Sequence, residues 1–328
     1  MGLTLSLLLV GALALVAYAL SGNMPAVFGI WVPYAASTLF LVGMVYRVID
    51  WARSPVPFRI TTTCGQAKSL PWIRSEPLES PSGLISVLGR MFLEVLFFRS
   101  LFRNSKADVH GGPKLVYGSS KWLWIFAMLF HWSFLVTFIR HLRFFTEPVP
   151  FLVTLAHSLD GIFEIGVPAL YITNALILLA LSCLLVRRII VPHLRYISLL
   201  TDYLPLIMLF GIVLSGVIMR YFVKTDVVAA KKLIMSLLVF SPAIPDGLGA
   251  AFYIHLFLVC VFFALFPVTK LSHMAGVFLS PTRNLANTNR VKRHINPWNA
   301  PVKVHTYEEW EDEFSDRLKA AGYQLERD

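Results

Sequence analysis

Charge is scarce in this chain, and that scarcity sets the class before any motif is read. Asp, Glu, Lys and Arg make up 15% of the 328 residues, against about 25% in soluble domains. Hydrophobic residues reach 56%, with a mean hydropathy of +0.66. An ordinary water-soluble domain is excluded, because much of this surface must face lipid. Cysteine is sparse too: Cys64, Cys183 and Cys260 are far apart in sequence. There is no C-x-x-C pair, no C-x-x-C-H haem attachment and no set of four thiols for a cluster. Any haem is therefore held non-covalently, and any iron-sulfur centre belongs to a partner. No internal repeat is visible. The net charge is +10. Such a balance can signal nucleic acid, but here the charges sit in loops between long apolar runs, which reads as an orientation signal.

Six runs have the roughly 20 apolar residues that a bilayer core takes: 3–20, 27–49, 122–145, 157–186, 197–222 and 248–271. The first lacks a basic leading region and a small-x-small cleavage site, so it is read as a helix rather than a signal peptide. With the N-terminus inside, 23 of the 29 Lys and Arg fall on the cytoplasmic side and 6 outside, as the positive-inside rule favours. The stretch LISVLGRMFLEVLFFRSLF (84–102) is too charged to span and suits a helix lying in the cytoplasmic interface. The expected fold is all-α and membrane-integral: a six-helix transmembrane bundle with a cytoplasmic interfacial helix and a short cytoplasmic C-terminal tail. Its parts are two N-terminal spans (1–50), a cytoplasmic loop (51–121), a four-helix core (122–273) and the tail (274–328). The tail ends in EEWEDEFSDRLKAAGYQLERD, a short amphipathic helix that reads either as a solvated end or as a docking surface.

Five of the nine histidines lie in or at the ends of the apolar runs: His131, His141, His157, His255 and His273. An ionisable group at membrane depth is costly and is a functional candidate by default. His131 and His141 share the third run, about 15 Å apart along a helix, and His255 and His273 share the sixth, five turns or about 27 Å apart. The two helices run in opposite directions. His131 therefore meets His273 toward the cytoplasm, and His141 meets His255 toward the outside. Each pair can clamp one iron, since neutral imidazole is a favoured haem ligand. The irons would stack roughly 21 Å apart along the membrane normal, with Pro267 bending the sixth helix. Four satisfied core histidines are the plain alternative. Zinc, which prefers a tight tetrahedral cage, fits these separations poorly.

His157 opens the fourth run in LAHSLDGIFEIG, followed by Asp160 and Glu164. A quinone site needs a proton-exchanging group, and His157 with Asp160 offers one beside the outer pair. The alternative is a helix start with acidic residues in its first turns. Arg187 and Arg188 close the fourth run, as partners of haem propionates or as positive-inside anchors. His110, His193, His294 and His305 lie in polar cytoplasmic segments and read as surface residues.

The stretches HWSFLVTFIRHLRFF (131–145) and IHLFLVCVFFALFPVTKLSHM (254–274) resemble the gamma subunit of respiratory nitrate reductase, a di-haem b quinol oxidase. YAASTLFLVGMVYRVIDW (34–51) is similar to that family's first helix, which makes 3–20 an addition. The resemblance implies that His131, His141, His255 and His273 are the axial ligands of two haem b groups. The inserts VPFRITTTCGQAKSLPWI (56–73) and FRSLFRNSKADV (98–109) resemble more closely the DsrM family, the cytochrome b subunits of the DsrMKJOP complexes of dissimilatory sulfur metabolism. Six spans and the basic-residue split put both termini of this inner-membrane, multi-pass chain in the cytoplasm, and the likeness implies a subunit of an oxidoreductase complex with menaquinone as its substrate. It also implies a cytoplasmic iron-sulfur partner resembling heterodisulfide reductase (DsrK-like) and further DsrJOP-like subunits, with sulfite or sulfate reduction as the setting. The nitrate-reductase family has a lysine near its outer haem where this chain offers His157 and Asp160. Competing expectations are the cytochrome b of a membrane heterodisulfide reductase, a transporter relaying protons through its histidines, and a passive anchor.

Overall fold

The computed structural model describes residues 1–54, 65–103, 106–163, 169–288, 290, 301 and 303–326. Cys64, Glu164 and His294 lie outside the described residues. Among these residues six helices are long and apolar enough to cross a membrane: Gly2–Leu20, Val27–Arg53, Lys121–Phe144, Ile172–Ile190, Leu200–Val223 and Ala250–Val268. The fold is all-α apart from two short antiparallel ribbons.

In chain order, α1 (Gly2–Leu20) and α2 (Val32–Arg53) form the first two spans. The intervening segment carries α3 (Leu84–Phe97), α4 (Arg99–Phe102) and the hairpin β1 (Lys106–His110) to β2 (Lys114–Gly118). Gly111 and Gly112, at φ +56° and +100°, make the tight left-handed turn that joins these strands. Then come α5 (Lys121–His141), α6 (Phe151–Asp160), the ribbon β3 (Gly161–Phe163) with β4 (Leu170–Tyr171), and α7 (Ile172–Ile190). After α8 (Pro192–Ile197) follow α9 (Leu200–Ile218), α10 (Val227–Leu238) and α11 (Ala250–Leu265). The chain ends through α12 (His273–Gly276), α13 (Pro281–Asn284) and α14 (Tyr307–Ala320).

α5 packs on α7, α7 on α9 and α9 on α11, while α1 lies against α9 and α11 and α2 against α11. One apolar core joins Val10, Ile177, Leu181, Met208, Leu258 and Phe262. A second, at the other end, joins Ala17, Phe28, Leu233, Phe252 and Tyr253. Leu8, Leu15 and Val42 remain about two-thirds exposed (65%, 65% and 64%). In water that would be a liability, but in lipid it is the solvated face. Small residues let helices approach closely: a Cβ on Gly43 of α2 would lie 2.8 Å from Pro267, and one on Gly211 of α9 would lie 3.1 Å from Val10.

Three expectations are corrected. The fourth span begins at Ile172 rather than 157, because α6 ends at Asp160 and Gly161 turns into the ribbon. His157 therefore lies on α6, ahead of that span. The sixth helix does not run to 271. Pro267 removes a helical donor, the chain tightens into a 3-10 turn at Phe266–Val268, and Thr269 is extended (φ −108°, ψ 174°). His273 opens the separate α12, so the five-turn spacing from His255 does not hold. Finally, 84–102 is two helices, broken at Phe98.

In α3 the amphipathic sense is inverted. Arg90 and Glu94 are buried while Ile85 is 87% exposed, with Leu84, Leu88 and Phe92 also open. Arg90 donates to the Glu79 carbonyl at 3.0 Å, and Arg99 and Arg103 pair with the Glu79 carboxylate at 2.5 and 3.1 Å. Burial pulls the Arg90 guanidinium below its ordinary range, against the opposing pull of Glu94 and Glu79. Asn287, beyond α13, binds Pro81 and Ser80 (2.5 and 2.7 Å). The polar segments before α5 and after α11 thus form one body.

Candidate functional site

Two histidine pairs meet across the bundle. His131 on α5 faces His273 on α12, with ring centroids 6.1 Å apart and planes at 78°. His141, at the end of α5, faces His255 on α11 at 6.5 Å and 20°. These are the two pairings expected from spacing and direction, and the first forms despite the break after α11.

The second nitrogen of each ring is fixed. Nδ1 lies 2.8 Å from the Ala127 carbonyl in His131, 2.7 Å from Thr137 in His141 and 2.8 Å from Lys270 in His273. A carbonyl only accepts, so Nδ1 is the donor and Nε2 is the nitrogen left to meet a ligand. His255 reaches the same state through a hydroxyl. Ser215 donates to the Ile212 carbonyl (2.9 Å) and is left to accept from His255 Nδ1, also 2.9 Å away. Lys270, which orients His273, is itself held by Asp202 at 2.6 Å. Arg188 reaches Ser198 (2.8 Å) and lies 3.9 Å from the same Asp202, so it ties α7 to the start of α9.

Four imidazoles in two facing pairs, each with its Nδ1 engaged, are residues that could hold haem iron. An imidazole nitrogen sits about 2.0–2.1 Å from a bound metal, so two rings that share one metal stand close together, as the rings of each pair do at 6.1 and 6.5 Å. Glycine at 216 lets α9 come close to this pair: a Cβ there would lie 3.3 Å from the His255 ring. At the inner end the Nε of Arg47 is buried without a hydrogen-bond partner. Arg47 stacks on Trp51, which packs on Gly276 of α12. A half-buried arginine whose Nε lacks a hydrogen-bond partner, beside the helix that carries His273, suits an anionic propionate. Among the described residues no three His, Cys, Asp or Glu gather as a compact metal cage.

Beside the His141–His255 pair lies a polar cluster centred on Tyr171. Its hydroxyl lies 2.8 Å from His157 Nδ1, and Arg140 and Arg220 lie over its ring at 3.7 and 4.0 Å. Asp160 is 5% exposed and is not open to a ligand. It accepts from Thr173 N and Oγ (2.9 and 2.6 Å) and pairs with Arg140 Nε at 3.0 Å. His157 and Asp160 thus share a helix turn but have different surroundings. Arg140, Tyr171 and Arg220 escaped the sequence reading. The arginines left a signal, since Arg140 and Arg220 interrupt apolar runs and such charges mark functional interiors. Tyr171 left none. His193 and His305 are exposed on polar segments, and His110 lies on β1.

Residues 113–294 match the family described as the nitrate reductase gamma subunit. The chain is 41% identical over 279 residues to the Hdr-like menaquinol oxidoreductase cytochrome b-like subunit of Archaeoglobus fulgidus, covering 83% of each protein. It is 43% identical over 273 residues to the protein of the same name from Archaeoglobus profundus, covering 81% of each. The match takes in α5, both histidine pairs and the Tyr171 cluster, and by it this chain belongs to the nitrate reductase gamma subunit family.

Proposed function

We propose that the chain is a di-haem b cytochrome subunit that carries electrons between menaquinol in the membrane and a cytoplasmic iron-sulfur partner. The single observation that carries this is the pair of facing histidine sets, each at the separation of a shared metal axis. His131 with His273 holds the inner haem and His141 with His255 the outer. When bound, the haems supply two one-electron carriers spaced across the bilayer. Every other duty falls to side chains. The Nδ1 bonds keep each imidazole in the ligating tautomer, and Arg47 balances propionate charge.

The quinol site sits beside the outer pair. There His157, hydrogen-bonded to Tyr171, exchanges the protons that accompany the electrons. Asp160 holds Arg140 in place instead of exchanging protons itself. The arginines over Tyr171 keep the site positive and so favour loss of a proton from a quinol.

The basic-residue split supports cytoplasmic termini, with 56–121 and 274–328 as the docking face for the partner. The sequence likeness to DsrM supports a role in dissimilatory sulfur metabolism, with DsrK-like and DsrJOP-like neighbours. The names of the two archaeal relatives favour a second reading, a heterodisulfide reductase-like menaquinol oxidoreductase. The histidines serve both, and the readings differ only in the partner's substrate.

Stopped-flow reduction of the purified protein by a menaquinol analogue is the test. The native chain should develop the reduced b-type spectrum. His157→Ala should slow its appearance by on the order of tenfold or more, as expected for a lost proton-transfer group, with haem content unchanged. Reduction of His157→Ala at the native rate would remove the quinol site from the outer pair.

A further inference from the structure

The inner histidine pair is touched from the cytoplasmic segment by Phe98, and Phe98 is held in an unusual backbone state. It has φ 49° and ψ 45°, the left-handed region that a bulky L-residue rarely enters. Neighbouring contacts hold this turn. Trp132 and Trp124 of α5 donate their indole N–H groups to the carbonyls of Leu96 (3.2 Å) and Phe97 (2.7 Å), clamping the end of α3. Glu94 accepts from the Ser100 backbone at 3.2 Å and from its hydroxyl, closing the chain over Phe98. Arg99, the next residue, is anchored to Glu79.

The outcome is a ring placed edge-on against His131, with centroids 4.8 Å apart at 74°. Phe130 meets the same imidazole at 4.9 Å and 79°. Two phenyl rings and the Nδ1 bond to Ala127 fix that imidazole, and its plane stands at 78° to that of His273. The outer pair, 20° from parallel, has a looser ring contact from Phe144 at 5.9 Å.

We propose that Phe98 is a positioning residue: through it the segment 79–103 sets the plane of the His131 imidazole, and with it the electronic state of the inner haem. This rests on the di-haem reading. The physical link is orbital. Crossed axial imidazoles leave the two iron dπ orbitals close in energy and give a ferric low-spin signal of large anisotropy. Near-parallel imidazoles split those orbitals and give a rhombic signal. Ligand orientation is one of the levers by which a protein tunes a haem.

The test uses the purified holoprotein, read by haem quantification, electron paramagnetic resonance of the ferric state and redox titration. The signal lost in His131→Ala identifies the inner haem. Phe98→Gly removes the ring, and glycine adopts the same backbone without strain. It should retain two haems while the inner signal loses anisotropy and its midpoint potential moves, with the outer signal unchanged. Phe98→Tyr should restore the native pattern. Should Phe98→Gly not assemble, Phe98→Leu, which keeps bulk but no aromatic edge, carries the same expectation. Native signals in a two-haem Phe98→Gly or Phe98→Leu protein, or equal shifts in both haems, would overturn the inference. A native protein with fewer than two haems would instead overturn the di-haem reading.

Discussion

At the scale of single residues, the membrane interior separates groups that look alike in sequence. His157 and Asp160 are one turn apart, and both are residue types that exchange protons. Packing assigns them different surroundings. Asp160 has both oxygens engaged by Thr173 and Arg140, whereas His157 is half-buried against the Tyr171 hydroxyl. Removing one partner of a buried ion pair costs about 3–5 kcal/mol, because the other charge is left uncompensated. Asp160→Asn should therefore lower thermal stability markedly by leaving Arg140 unpaired, while Asp160→Asn with Arg140→Gln should recover part of the loss. Thermal melts of the two variants check this. If Asp160→Asn melted like the native protein and only slowed quinol oxidation, the carboxylate would be a proton carrier after all.

At the scale of elements, helices and their termini follow local chemistry that can be read in advance, up to the places where tertiary packing intervenes. Gly43 shows the principle: a Cβ there would lie 2.8 Å from Pro267, so α2 can approach the turn after α11 only as glycine. Gly43→Leu should overpack this contact and destabilise by about 1–3 kcal/mol, with haem lost first from the inner pair, since that turn leads to His273. Gly11→Leu, with open space around it, serves as the control. Equal melting temperatures for the two variants would show that the close approach does not matter. All six spans were legible from hydropathy, and five began within three residues of their runs. The fourth did not, because 151–171 is apolar enough to continue a helix and only the turn at Gly161 divides it. The break at Phe98 was illegible, since nothing in LFFRSLF marks a left-handed phenylalanine; the indole clamps from α5 impose it. The histidine pairings were legible from the opposite directions of α5 and α11, although the helical spacing from His255 to His273 fails after Pro267. The Tyr171 cluster was not, because its members come from α5, α6, β4 and the end of the α9 span.

At the scale of the whole molecule, six crossings place the polar segments before α5 and after α11 on one side, where Asn287 binds Ser80 and Pro81. That side carries 23 of the 29 Lys and Arg, so it should be cytoplasmic. A reporter joined after residue 328 should be active in the cytoplasm and silent when it requires export; the opposite result would invert the molecule and move the docking face outside. The fold separates the His131–His273 pair from the His141–His255 pair along α5, and under the proposed function electrons entering at one pair would leave at the other. The most direct measurement is pyridine haemochrome quantification of the purified chain, taken together with native reduced-minus-oxidised spectra of the chain and its four single histidine-to-alanine variants. Two haems per native chain are expected. His131→Ala and His273→Ala should lose one spectral component, and His141→Ala and His255→Ala the other. One haem or none in the native chain, or loss of the same component in His131→Ala and His141→Ala, would contradict the account.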